Sequence, residues 1–343
     1  MPHRALPYLT WWLIITLSTG FPALAQTTEA HAADPENEPR LRHHLRLLEH
    51  LGVLELLEAQ RDVNERQRQR AVASTHPEEL SLLAGDENGG VRFAVASNPH
   101  TPVPVLQRLA QDALAHVRAG VSLNLSDAQT VPEAAHPDVE HTGHQLARDE
   151  HPLVRLALAS NPHLPESVLL TLSGDQDGAV RLKLASNERV CREGLRVLAH
   201  DDDRTVRVRA LGHRNTPPDV LLVASQADDA ALRVAVGGNI NAPPGILEVL
   251  AGDPEAAVRL AVARHPGTPG SALQTLAEDA ELGIVLAVAQ HRNAERNTLF
   301  RLAADPRWSA VRTAAQASLK PLLRSEIRED LLERWDMPGK ELE

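Results

Sequence analysis

Apolar residues in this chain recur with a long period as well as a short one. A branched apolar residue, usually followed by Arg, marks each unit: Val91, Val117, Val154, Val180, Val206, Leu232, Val258, Ile284 and Val311. Successive markers lie 26 residues apart, except for 37 before Val154 and 27 before Val311. Self-similarity at a fixed period is the signature of a repeat architecture. Eight residues before the marker most units carry Leu (Leu83, Leu109, Leu146, Leu172, Leu198, Leu250, Leu276). Three residues earlier stands another (Leu80, Leu106, Leu169, Leu195, Leu221, Leu247, Leu273). This L-x-x-L spacing predicts a short helix, here called A, with one buried face. Thr101-Pro102, Thr216-Pro217 and Thr268-Pro269 predict its start, with Thr as N-cap and Pro in the first turn, where a missing N–H is harmless. The marker opens an Ala-rich stretch, as in Val91–Ala96 and Val258–Ala263, which predicts a second helix, B. Asn98, Asn124, Asn161, Asn187, His213, Asn239, His265 and His291 close it. Asn there is expected to end the helix in the left-handed conformation.

Neither helix buries its apolar face alone, so each unit must stack on the next. The pattern predicts an all-α fold: a right-handed α-solenoid, or superhelix, of about nine 26-residue two-helix repeats with helical caps. Residues 76–318 form the array, broken by an insertion at about 125–145. Residues 39–75, with Leu41, Leu45, Leu48, Leu51, Leu54 and Leu57 among charged neighbours, read as an N-terminal helical cap. Residues 319–343 read as a C-terminal helix and tail, with Leu322, Ile327, Leu331 and Leu332 on one face.

The first 25 residues are of another kind. Arg4, an apolar run from Tyr8 to Leu17, the breakers Gly20 and Pro22, and Ala23-Leu24-Ala25 make a secretory signal peptide with its cleavage site. The run is too short to span a bilayer as a helix, which takes about 20 residues. A periplasmic or secreted protein is expected, with no membrane span after cleavage. Residues 26–38 (QTTEAHAADPENE) are expected to be a flexible lead-in.

Composition narrows the function. Hydrophobic residues are 43% but aromatics only 2%, so the core must be built from Ala, Leu and Val. With 35 Lys+Arg against 46 Asp+Glu, the net charge of −11 gives no electrostatic reason to bind nucleic acid. Cys191 is the single cysteine, which excludes an intramolecular disulfide, a multi-Cys zinc site and a Cys-ligated iron–sulfur cluster. No G-x-S-x-G, P-loop or H-E-x-x-H occurs, so the chain reads as non-enzymatic and without a cofactor.

Two charged columns share the period. The pairs Asp86 and Arg92, Asp112 and Arg118, Asp149 and Arg155, Asp175 and Arg181, Asp201 and Arg207, and Asp253 and Arg259 recur at one spacing. Guanidinium and carboxylate match bidentately. These columns are therefore expected to form a structural ladder, each Arg pairing within its own or a neighbouring repeat, rather than a cationic stripe for a ligand. The broken stretch 131–151 holds His136, Asp138, His141 and His144. Imidazole with carboxylate suits a divalent transition metal, which makes a metal-binding or metal-handling protein the alternative function.

Leu80, Leu83, Ala84, Asp86, Val91, Arg92, Ala94, Val95, Ala96, Asn98, Pro99, Thr101 and Pro102 together resemble the unit of the leucine-rich repeat variant family. Residues 247–269 show it again with His265 in place of Asn. The Asp86/Arg92 spacing is similar also to that of HEAT-like repeats. The resemblance implies an all-helical, armadillo-type superhelix. It does not extend to the iron–sulfur cluster of the family's founding type, whose N-terminal cysteines are missing here. A protein-binding scaffold is expected, holding a protein or peptide partner on its concave surface.

Overall fold

The computed structural model describes residues 53–125 and 136–335. The expected signal peptide, the lead-in, the start of the N-terminal cap and the end of the tail lie outside the described residues. So do residues 126–135 of the insertion.

Every element among the described residues is helical, and there are nineteen of them. They form two compact units, divided between Leu172 and Ser173. The first opens with the long helix Val53–Ala73. A helices Pro77–Leu83, Val103–Leu109, His136–Leu146 and Glu166–Leu172 then alternate with B helices Gly89–Ala96, Ala115–Asn124 and Pro152–Ser160. In the second, B helices Gly178–Ala185, Arg204–Leu211, Ala230–Gly237, Ala256–Arg264 and Leu282–Ala289 alternate with A helices Arg192–Leu198, Pro218–Ala224, Pro244–Leu250, Gly270–Leu276 and Arg296–Ala303. Ser309–Trp335 closes it. Each unit is an α-solenoid in which the B helices pack on one another in sequence, and Val53–Ala73 takes the first place in that row.

The burial follows the period. Val91, Val117, Val154, Val180, Val206, Val258, Ile284 and Val311 are buried, and so are both leucine columns of helix A. Small residues let the B helices approach: a Cβ on Gly120 would stand 3.1 Å from Ala96 Cβ and from Phe93 Cδ2 of the preceding B helix. Helix B starts on a side-chain cap, with Asn88, Asp177, Asp203 and Asp229 accepting from the N–H two residues on, as N-cap chemistry requires.

Three local expectations change. The N-cap of helix A is Pro itself, at Pro102, Pro217, Pro243 and Pro269, in extended conformation. The Thr before it points back. Thr101, Thr216 and Thr268 are buried and donate to the carbonyls of Val95, Ala210 and Val262, tying the end of helix B to the next A helix. Helix B does not end in the left-handed region: Ser97 closes at φ −92° and Asn161 at φ −78°. The expected separate C-terminal helix is instead the continuation of the last B helix, which runs through Pro321.

Candidate functional site

The Arg and Asp columns meet across repeats. Arg92 donates from Nε and Nη2 to both oxygens of Asp112, at 2.6 and 3.0 Å, and from Nη1 to the backbone carbonyl of Asp86 at 2.9 Å. One guanidinium thus holds its own repeat's backbone and the next repeat's carboxylate. Arg118 reaches Asp149, Arg181 reaches Asp201, Arg233 reaches Asp253 and Arg259 reaches Asp279 in the same bidentate way. The carboxylate also accepts from an N–H two residues on, as Asp201 does from Asp203 at 2.8 Å. The Arg181 guanidinium holds the Asp201 carboxyl below its ordinary 3.8, against the upward pull of burial.

Two places depart from this pattern. The Ile284 repeat has buried Val285 where Arg belongs. Arg307 does that work from the following loop, with Nη1 on the carbonyl of Asp279 at 3.0 Å and Nη2 on Asp305 at 2.6 Å. The Val206 repeat has Arg207, whose Nη1 donates to the carbonyls of Asp201 and Asp202 at 2.6 and 3.0 Å. Its column carboxylate is missing, because position 227 is Ala. In the next repeat the Asp is shifted by one, to Asp228, and Arg207 keeps only its backward contacts.

The Asn column is a second ladder. Asn98 Nδ2 donates to the carbonyls of Ala71 and Ser74, and Asn161 Nδ2 to those of Ser122 and Leu125, so each closes off the end of the preceding B-row helix. Oδ1 meanwhile accepts from the N–H two residues on. Histidine reproduces both contacts. His265 Nδ1 accepts from Gly267 N at 3.1 Å, which leaves the ring proton on Nε2 to donate to the Asn239 carbonyl at 2.7 Å. His291 repeats this on the carbonyl of His265. Burial pushes His213 below its ordinary 6.5. These histidines are structural members, not ligands in waiting.

With the leucine, Arg–Asp and Asn/His columns engaged internally, the remaining B-helix positions face outward. In the second unit they include a row of half-buried apolar residues, Leu182, Val208, Val234, Leu260 and Leu286. Beside them stand Lys183 and Arg209 in the first two of these repeats and Ala235, Ala261 and Ala287 in the next three. A groove of about 950 Å³ crosses three of these helices, floored by Leu182, Val208, Ala231 and Gly238. Arg204, Arg209 and Arg214 flank it, with Glu188. A shallower groove of about 450 Å³ lies at Arg264, Leu286 and Arg292. The periodic reading passed over these residues because it followed the Leu, Asp, Arg and Asn columns; the signal was the apolar row two residues after each marker.

In the described part of the histidine-rich stretch, His136–Leu146 is the A helix and residues 147–151 are the turn that follows it. Val139 and Leu146 sit in the core, while Asp138 and His141 are exposed. His144 Nδ1 lies 3.2 Å from Thr171 Oγ1, and its Nε2 lies 3.8 Å from Glu140. Glu140 accepts from Ser167. His144 is thus engaged with neighbours other than Asp138 or His141. Among the described residues no group of three or more His, Cys, Asp or Glu side chains could hold a metal ion. The His136 side chain lies outside the described residues. Cys191 is buried and caps helix Arg192–Leu198, its Sγ accepting from Gly194 N. Among the described residues no helix is long and apolar enough to cross a membrane.

The family model of the leucine rich repeat variant matches residues 89–114, 152–177 and 256–281. Each match begins two residues before a marker (Val91, Val154, Val258) and spans one period. A solved structure described as a leucine-rich repeat variant with a novel repetitive protein structural motif is similar at 27% identity, covering 68% of this chain and 88% of its own, with a TM-score of 0.46. No curated protein matches the chain.

Proposed function

Starting from a helical repeat protein of the leucine-rich repeat variant kind, we propose that the chain is a non-enzymatic scaffold that binds a protein or peptide on the outward face of its B helices, in the periplasm or outside the cell. One observation carries the reading: the Leu, Arg–Asp and Asn/His columns are consumed by the fold, and the half-exposed face left over carries an apolar row and an open groove. Repeat arrays with an extended, variable face bind by many moderate contacts rather than at one reactive centre. The signal-peptide pattern of residues 1–25 supports the location.

The test is capture in the native compartment by cross-linking, with Val208→Asp and Leu182→Asp compared with the parent chain. Loss of one discrete partner with an unchanged helical melt is the expected result. A partner retained by both variants would remove this face from the function. A secreted-fraction assay that finds the chain in the cytoplasm would remove the location.

A further inference from the structure

Among the exposed arginines of the second unit, Arg204, Arg214, Arg301 and Arg307 pair with Asp229, Glu188, Glu278 and Asp305. Arg264 and Arg292 are exposed as well, and neither has a carboxylate partner among the described residues. Both line the same groove, the shallower one of about 450 Å³. Its lining is apolar at Ala263, Leu286 and Ala287 and holds no Asp or Glu. In a chain of net charge −11 this is a local reversal of sign. The periodic fold does not require the two arginines. Ser97, Ser160 and Ser186 stand at the position of Arg264 in other repeats, and Pro99, Pro162 and Pro266 at that of Arg292. Arg292 is nonetheless held in place, with Nε and Nη2 donating to the Pro266 carbonyl at 3.3 and 3.0 Å. Its Nη1 is left without a partner among the described residues.

We propose that this groove takes the C-terminal end of a partner chain, its α-carboxylate between Arg264 and Arg292 and its last side chain, an aliphatic one, on Leu286 and Ala287. The proposal rests on the scaffold reading and names one contact within it. Two guanidiniums beside apolar surface, with no counter-ion of their own, attract an anion and hold it by charge-assisted hydrogen bonds. Gln290, exposed on the same groove, adds an amide donor. A chain end carries a carboxylate and an apolar side chain on one carbon atom, which suits a site where guanidinium and aliphatic surface adjoin. An internal Asp or Glu carries its carboxylate on a separate side chain from any apolar neighbour. The volume is that of a small-ligand site, enough for a few residues rather than an extended segment.

The other repeats supply the variants. Arg264→Ser and Arg292→Pro each install the residue that the same position holds elsewhere in the array, so both chains should fold. Short peptides labelled with fluorescein at the N-terminus, one for each possible last residue, are made with a free and with an amidated C-terminus. They are titrated by fluorescence anisotropy against the full-length parent and both variants. Peptides ending in Leu, Ile or Val bind, and bind more weakly as salt rises. They lose roughly tenfold on amidation, and as much on either variant, the value of one charge-assisted contact. The amidation arm needs no variant and decides the proposal even where one misfolds. Equal binding of free and amidated peptides, or of parent and both variants, would overturn the chain-end site. So would competition by inorganic phosphate, or by amidated peptides with an internal Asp, as strong as that of the free-ended peptides, since the groove would then take any anion. If no peptide binds while cross-linking still captures a partner that Val208→Asp loses, the chain-end site falls and the scaffold stands. If neither is seen, both fall.

Discussion

Arg181 and Arg207 hold the same place in consecutive repeats, yet their surroundings divide them. Arg181 closes on a carboxylate whose side chain is 4% exposed, and it ties the Asp175 carbonyl to the next repeat. Arg207 makes only the backward contacts, and the next repeat has Ala227 at the position of the column Asp. The first is a girder with both ends fixed; the second is fixed at one end. The difference teaches that identical residues at identical phase do not share a role unless the complementary column is intact.

Acid should break the filled places together. Asp112, Asp149, Asp201, Asp253 and Asp279 all sit below their ordinary 3.8 in the folded protein. The unfolded chain therefore binds more protons on falling pH, and the stabilisation present above about pH 4 is lost as pH drops through the folded values. Urea midpoints should change little from neutral to about pH 5, apart from a small slope due to His213, and fall steeply below pH 4. A midpoint that stays level to pH 2 would show that the ladder contributes little. Arg181→Ala comes next, because it strands Asp201; a loss of about 2 kcal/mol in urea unfolding is expected. Arg207→Ala should cost less than about 1 kcal/mol, since no carboxylate is left behind. Equal losses for the two would erase the comparison. The smallest effect belongs to His213→Asn, which restores the commoner residue of its column. The folded pKa of His213 lies below 6.5, so the unfolded chain takes up its proton first and the parent loses stability as pH falls below about 6.5, down to the folded value. The Asn variant should lack that slope, seen as a flatter melting midpoint between neutral pH and pH 5.

The period, both helices of the unit and the buried columns were legible because 26-residue self-similarity fixes the phase of every residue within a repeat. Phase does not fix reach. Arg92 follows Asp86 by six residues and precedes Asp112 by twenty, and periodicity cannot choose between them; the folded chain uses the backbone of one and the carboxylate of the other. The same ambiguity hid the Asn and Thr columns, which were read as caps for their own helices when one reaches to the preceding repeat and the other back along its own. Arg307 was invisible because it serves the column from outside its phase. The groove went unread although Leu182 and Val208 keep the period, because its lining depends on how neighbouring B helices are spaced, which periodicity does not give.

Each polar tie spans one repeat and no further, as Asn239 to Leu211 and His265 to Asn239 show. Length is therefore a free variable in this architecture. A duplication or loss of one whole period would present every new neighbour with the partners it expects, while a change of any other size would misalign both ladders at once. Such an array grows or shortens in discrete steps, and the reach of its binding face can be retuned by recombination without any side chain having to be reinvented.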